Sequence, residues 1–252
     1  MNRILVRADD LGYSRAVNYG IYDTVHKGIV KNVGVMTNMP STKMGLTLLR
    51  DEDVDLGMHT DITNGKPVLA PEKVPSLVDK NGYFKRSRVY WENKGPDFTN
   101  LDEVVNEIDA QYHRFLELVG RQPDYFEGHA VMSSNFIKGL EIVANKYDLP
   151  LLRFGFDGKP VPFKKNTKFV SYMGGMESNY KPIEVVQKMI NDDTKDAIPM
   201  MVCHPGYLDQ YILNISRLTI NRTKEAEMLM SEEVKELLTK SNVKLVRYSE
   251  CE

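Results

Sequence analysis

Between residues 3 and 63 the chain alternates two kinds of periodicity, and this alternation constrains its fold more than any other feature. "RILVRA" is a short, β-rich apolar run. Ser14 then reads as a helix N-cap, "SRAVNYGIYDTVHKG" has helical spacing, and Gly28 reads as its C-terminal stop. "IVKNVGVMTNM" predicts a second strand. "STKMGLTLLRDE", opened by Ser41, predicts a second helix, and "VDLGMHTDIT" a third strand. A β-α-β-α-β order implies a parallel sheet with helices on its faces.

The pattern then breaks. Residues 64–100 carry Pro, Gly, Asn and Lys with little periodicity. A long excursion inside a compact domain is usually functional, so this stretch reads as a lid over one face; the alternative is a solvated surface excursion. Alternation resumes at "LDEVVNEIDAQYHRFLELVG", a helix with Leu101, Val104, Val105, Ile108, Phe115 and Leu118 among its apolar positions and Gly120 after it. "PDYFEGH", "LPLLRFGF", "AIPMMVCHPG" and "VKLVRYSE" read as strands. "SNFIKGLEIVANKYD", "PIEVVQKMINDD" and one long "TKEAEMLMSEEVKELLTKS" read as helices. About seven or eight strands with helices between them fit a closed or nearly closed barrel better than an open sheet. The expected fold is α/β: a single β/α-barrel-like domain of distorted TIM type over residues 1–252, with the lid inserted after the third strand.

Composition excludes several classes. The formal net charge is −2 over 252 residues, which offers no electrostatic footprint for nucleic acid or a membrane surface. Cys203 and Cys251 are the two cysteines and lie far apart, which rules out a disulfide framework or a CxxC metal site. The N-terminus has no long apolar signal region, and no window approaches about 18 consecutive apolar residues. A cytoplasmic protein is expected.

In parallel α/β folds the chemistry sits beyond the C-terminal ends of the strands. The first strand ends at Asp9-Asp10, the third at His59, the fourth at His129, the next at Arg153 and the penultimate at His204. Three of the five histidines therefore fall at strand ends, while His26 and His113 lie inside helices and read as structural. An adjacent aspartate pair alone proves little: Asp192-Asp193 ends a polar helix and reads as a solvated turn. The combination is more specific. Two imidazoles and a carboxylate hold a divalent ion and leave positions open for water and substrate. The ion offsets the repulsion between Asp9 and Asp10, so that one is a ligand and the other a base. Such a donor set suits zinc or another transition ion better than magnesium, which prefers oxygen. Strand alternation sends consecutive side chains to opposite faces. Both aspartates reach one site only if the chain is already turning, as "LGYS" suggests. Lys85, Arg86 and Arg88 in the lid read as a solvated face. Tyr90 and Trp91 beside them either stack on a sugar ring or pack the lid. Arg153 either pairs with a site carboxylate or covers the rim.

Several stretches together resemble the YdjC-like carbohydrate (chitooligosaccharide) deacetylases: "RADDLGYSRAVNYGI", "KGIVKNVGVMTNMP", "DLGMHTDITNGKP", "AQYHRFLELVGRQPDYFEGH", "LLRFG" and "VCHPGY". They occur in family order and cover the chain from end to end. The resemblance implies a barrel-like fold and metal-dependent removal of an acetyl group from an N-acetylated sugar, of chitobiose type and sometimes phosphorylated. By position it implies Asp10, His59 and His129 as metal ligands, Asp9 as the base and His204 as a second acid/base group. Arg153 is then placed to orient Asp9 through a paired hydrogen bond. It also implies magnesium and a homodimer. Two segments depart from the family pattern. "EGHAVMSSN" stands where a longer histidine-rich segment is common, and Glu127 replaces the usual aspartate. "HTDIT" adds Asp61 close to the site as a substrate contact. The competing readings are a metal-dependent sugar isomerase or phosphoesterase, and a non-catalytic sugar-binding protein with a degenerate site.

Overall fold

The computed structural model describes residues 2–153, 155, 158–192, 194 and 196–252. Its first half runs β1 (Asn2–Leu11), α1 (Arg15–His26), β2 (Asn32–Val35), α2 (Thr42–Leu48), β3 (Asp55–Thr60), α3 (Ser87–Glu92), α4 (Leu101–Val119), β4 (Phe126–Gly128) and α5 (Ser134–Tyr147). The second half runs β5 (Val161–Lys164), β6 (Thr167–Tyr172), α6 (Pro182–Asn191), β7 (Ile198–Cys203), α7 (Gln210–Ile215), α8 (Ile220–Met230), α9 (Glu232–Lys240) and β8 (Val243–Val246).

The strands form one curled mixed sheet in the order β4-β3-β2-β1-β7-β6-β5. All pairings are parallel except β5 with β6. β8 runs parallel to the first half of β1, and β2 pairs with its second half. Asn32 joins the two: its amide donates to the Val6 and Val246 carbonyls and accepts from the Tyr248 N–H. The result is a half-barrel, the distorted form of the expected barrel. Central strands in such a sheet are covered on both faces, and β1 is buried from Ile4 to Leu11.

Local chemistry explains the helices that carry the sheet. Ser14 accepts the Val17 N–H at 3.2 Å and starts α1, whose Val17, Ile21 and Val25 form one buried stripe at helical spacing. Asn100 caps α4, and Gly120 ends it in the left-handed region at φ 79°. The α4 stripe buries Val104, Ile108, Tyr112 and Phe115, yet the same face also buries Glu107 and Gln111. Each apolar side chain removed from water contributes about 1.5–3 kcal/mol, so two polar groups in that stripe need a reason.

Several elements differ from the sequence expectation, among them the short helices α3 and α7, which it did not include. The single long helix is two helices, because the Ser231 hydroxyl accepts the Val234 N–H at 3.2 Å and starts a new helix with Glu232 and Glu233 in its first turn. β5 and β6 form a hairpin in "VPFKKNTKFVSY", whose lysines and asparagine mask the strand period. The expected strand "LPLLRFGF" contributes one isolated parallel bridge, Leu151 to Phe126; Phe154 and Phe156 lie outside the described residues. Asp193 of the comparison pair is also outside them, while Asp192 accepts the Tyr172 hydroxyl at 2.8 Å. The 64–100 segment is well packed: it buries Val74, Leu77, Phe84 and Tyr90 and contains α3.

Candidate metal centre

Asp9 and Asp10 both serve the same end of the sheet because β1 bulges there. Arg7 and Ala8 pair in register with Asn32 and Val33; the register then slips, setting Leu11 opposite Val35. Asp10 adopts φ 78°, and the Tyr13 N–H closes the turn on its carbonyl at 3.0 Å. Aspartate tolerates this left-handed geometry better than most residues. Gly34, on the neighbouring β2, leaves the room that Asp9 fills: a Cβ there would sit 2.7 Å from Asp9 Oδ1.

Three donor atoms converge beyond β1, β3 and β4. Asp10 Oδ1 lies 3.4 Å from His59 Nε2 and 3.4 Å from His129 Nδ1, and the two ring nitrogens are 2.8 Å apart. Asp10 Oδ1 is buried without a hydrogen-bond partner. Two imidazole nitrogens and an orphaned carboxylate oxygen are a fitting donor set for a divalent cation. A second grouping, Asp9, His59 and Glu127, is compact by distance. There, however, His59 Nδ1 is already bonded to Glu127 and Asp9 to Arg7. Glu127 thus orients the His59 ring so that Nε2 faces Asp10 and His129.

Electrostatics point the same way. Asp9, Asp10 and Glu127 are buried carboxylates around His59, and two buried guanidinium groups answer them. Arg7 Nη2 lies 2.6 Å from Asp9 Oδ2, and a 3.8 Å approach links it to Glu127 Oε2. Arg222 Nη2 lies 2.8 Å from Asp10 Oδ2. One negative charge remains unanswered. Burial by itself would raise the Asp10 carboxyl, but Arg222 and the two facing imidazoles hold it well below the usual carboxylate range. Burial would lower His59, yet Glu127 and Asp9 hold it well above an ordinary imidazole. A metal ion among these groups would supply the missing positive charge.

The other expected residues fall in different places. His204 follows β7, and its backbone N–H donates to Glu225 at 2.6 Å. Burial pushes its imidazole down to about 4, so it is neutral near pH 7. Burial also pushes the Glu225 carboxyl up to about 7, despite hydrogen bonds from the His204 N–H and the Tyr180 hydroxyl. Arg153 is turned to the surface, more than half exposed, and pairs with Glu141 of α5 at 2.9 Å. Arg7, two residues before Asp9 on the same strand face, is the arginine that meets that carboxylate. Asp61 is buried and builds a turn: its carboxylate accepts from the Thr63 N–H and hydroxyl, the Asn64 N–H and the Asn38 amide. Tyr90 packs within the 64–100 segment, its hydroxyl on the Ile62 carbonyl and its ring against Phe98. Trp91 is half-exposed, and its Nε1 donates to the Ala130 carbonyl at 3.0 Å, next door to His129. In the basic cluster, Lys85 donates to the Ser76 carbonyl and Arg88 pairs with Glu92.

Arg7, Glu127, Arg222 and Glu225 surround the site, and sequence reasoning did not assign them. Period-two alternation pairs Arg7 with Asp9, and Glu127 stands two residues before His129. Arg222 has no local signal, because 212 residues separate it from Asp10.

The YdjC-like protein family model matches residues 3–240. A carbohydrate deacetylase of Enterococcus faecalis is 29% identical, with 98% of this chain and 97% of the relative covered. A carbohydrate deacetylase of Halalkalibacterium halodurans is 30% identical, with 90% of this chain and 94% of the relative covered. Among solved structures, an Enterococcus faecalis protein described as a cellobiose-phosphate cleavage protein superposes with a TM-score of 0.81 at 26% identity, covering 99% of this chain and 98% of that one. A family 4 acetyl xylan esterase from Clostridium thermocellum, in complex with a cobalt ion, shares the fold at TM-score 0.54 and 13% identity, covering 99% of this chain and 89% of that one. No helix among the described residues is long and apolar enough to cross a membrane. With a family model matched across almost its whole length, the chain belongs to the YdjC-like family.

Proposed function

We propose that this protein is a metal-dependent carbohydrate deacetylase that hydrolyses the acetamide of an N-acetylated sugar. The observation that carries the reading is the convergence of Asp10 Oδ1, His59 Nε2 and His129 Nδ1 beyond three strand ends. It is supported by the full-length similarity to proteins named carbohydrate deacetylases.

Asp10, His59 and His129 would hold a divalent cation, which would supply Lewis acidity to the acetyl carbonyl and make the attacking water more acidic. Asp9 takes the proton of the attacking water, and Arg7 fixes its carboxylate through Oδ2, leaving Oδ1 for the proton. His204, whose backbone groups are held by Arg222 and Glu225, has a neutral imidazole that would take up the proton released by the attacking water through Asp9 and then give it to the departing amine. The half-exposed Trp91 indole offers a face to the sugar ring. The resemblance supports chitobiose-type sugars, free or phosphorylated, as the substrate and a homodimer as the assembly. It names magnesium, whereas the two imidazoles favour a transition ion.

The test is acetate release from N-acetylated chito-oligosaccharides by the metal-loaded protein. Loss of release on chelation and in Asp10→Asn supports the reading. No acetate from any acetylated sugar, with metal bound, sinks it.

A further inference from the structure

The lid is bonded into the metal centre at its root. Asn64 opens the 64–100 segment, and its Nδ2 lies 3.1 Å from His129 Nε2, the ring nitrogen turned away from the ion position. Its Oδ1 accepts the Tyr13 hydroxyl at 3.0 Å. The residues that hold Asn64 from the other side, Asp61, Gln111 and Glu107, lie outside the Asp10-His59-His129 donor group. The Asp61 carboxylate accepts the Asn64 N–H at 3.0 Å. Gln111 of α4 grips Asp61 by both backbone groups, accepting its N–H at 3.1 Å and donating to its carbonyl at 2.6 Å. Glu107, one turn earlier, accepts the lid N–H groups of Val68 and Leu69 at 2.9 and 3.1 Å and the Gln111 amide at 2.8 Å. Here is the reason for two polar side chains on an otherwise apolar helix face. Burying them is costly unless every group is partnered, and their partners are the lid root.

We propose that Asn64 is a positioning residue of the metal centre. It fixes the His129 ring through Nε2, and Gln111 and Glu107 fix Asn64 through the lid root. Metal affinity then depends on a helix that does not reach the ion. Proton placement sharpens the idea. A ring that coordinates through Nδ1 carries its proton on Nε2, and that proton needs an acceptor. The Asn64 nitrogen faces Nε2 and also donates to the Thr63 hydroxyl at 2.9 Å, so an ion on Nδ1 requires the amide to turn its oxygen to the Nε2 proton; an Asp can serve, a Leu cannot. The inference rests on Asp10, His59 and His129 being the ligands and does not depend on the sugar, so failure to find a substrate leaves it standing.

The test is the affinity of the metal-free full-length protein for zinc alone, by competition with a chromogenic chelator and with no substrate present. Asn64→Leu should weaken binding by roughly 10–100-fold, the usual effect of losing an outer partner of a ligand histidine. Gln111→Leu should weaken it in the same direction. Asn64→Asp should bind at least as tightly as the parent. Met132→Asp adds a charge on an exposed side chain three residues past His129 and controls for simple attraction; it should fall well short of Asn64→Asp. A folded Asn64→Leu that binds zinc within twofold of the parent overturns the proposal. If that variant fails to fold, an Asn64→Asp that binds more weakly than the parent overturns it. A parent protein that binds no zinc removes the ligand set and the proposal with it.

Discussion

Arg222, late in the chain, donates from Nη2 to Asp10 Oδ2 at 2.8 Å, and both side chains are buried. This contact leaves Asp10 one oxygen for an ion. Arg222 also donates to the His204 carbonyl at 3.3 Å and from Nε to the Leu218 carbonyl at 2.9 Å. It thus ties the start of the sheet to the loop after β7. Removing one partner of a buried ion pair typically costs about 3–5 kcal/mol, because the other charge is stranded. Arg222→Met should therefore lower metal-free stability by about that much in chemical denaturation. Zinc should recover part of the loss by replacing the missing positive charge. An equal loss with and without zinc would show that Arg222 supports only the fold.

The two aspartates should fail differently. Asp10→Asn removes the ligand, so metal binding and acetate release fall together. Asp9→Asn keeps the ligand set and removes the base, so zinc affinity stays near the parent value while kcat drops by about 10²–10⁴. Equilibrium dialysis beside steady-state kinetics separates the two. If Asp9→Asn loses the metal, the division of labour is wrong.

Much of this site was legible because a parallel sheet presents its chemistry at strand C-termini, and three strand ends here carry Asp9-Asp10, His59 and His129. The turn needed to use both aspartates was signalled by "LGYS", and the structure supplies it as a bulge with Asp10 at φ 78°. Arg7 was hidden because an arginine inside an apolar strand reads as an edge or rim residue, not as the counter-charge of a buried carboxylate. Arg222 and Glu225 were hidden by distance along the chain. Asn64 read as the first residue of an irregular insertion. The packing of that insertion on Glu107 and Gln111 is tertiary and has no period. Ser231 looked like an ordinary residue in a continuous apolar pattern, because a serine is either a tolerated helix residue or a cap, and only the backbone decides which.

Glu107 should give the stability a pH signature. Burial pushes its carboxyl from 4.5 up to about 7, against the hydrogen bonds from Gln111, Val68 and Leu69. A folded-state pKa above the unfolded one means the folded protein holds the extra proton. The contribution is complete below the unfolded value near pH 4.5 and disappears as pH rises through about 7. Its size is of order 3 kcal/mol, at 1.36 kcal/mol per pH unit. Urea denaturation from pH 4.5 to 8 should show stability falling across that window, and Glu107→Gln should flatten the fall. Glu225, also raised to about 7, contributes in the same direction and remains in the variant. An unchanged slope in Glu107→Gln would mean its carboxyl stays ionised throughout.

Trp91 should act on substrate binding alone. Its indole is pinned by the Ala130 carbonyl and is half-exposed. Trp91→Ala should raise KM by roughly 10-fold, in line with about 1–1.5 kcal/mol for an aromatic stacking contact, with kcat and zinc affinity held. A drop in kcat at constant KM would move the sugar away from this face.

The choice of metal follows from what each oxygen of Asp10 is doing. Magnesium asks for near-octahedral oxygen ligands and gives up its waters reluctantly. This site offers it one carboxylate oxygen, since Arg222 occupies the other, and two imidazole nitrogens. Zinc and cobalt are at home with nitrogen donors and low coordination numbers. Competition binding should therefore rank zinc and cobalt above magnesium by at least about 100-fold in Kd, the sense of the divalent affinity order for nitrogen sites. Arg222→Gln, which relaxes the hold on Oδ2, should narrow that gap by letting Asp10 offer both oxygens. If magnesium binds as tightly as zinc to the parent protein, oxygen donors other than Asp10 must complete the site. The buried Asp9 Oδ1, which has no hydrogen-bond partner, would then be the first to examine, and Asp9→Asn would weaken magnesium binding, not catalysis alone.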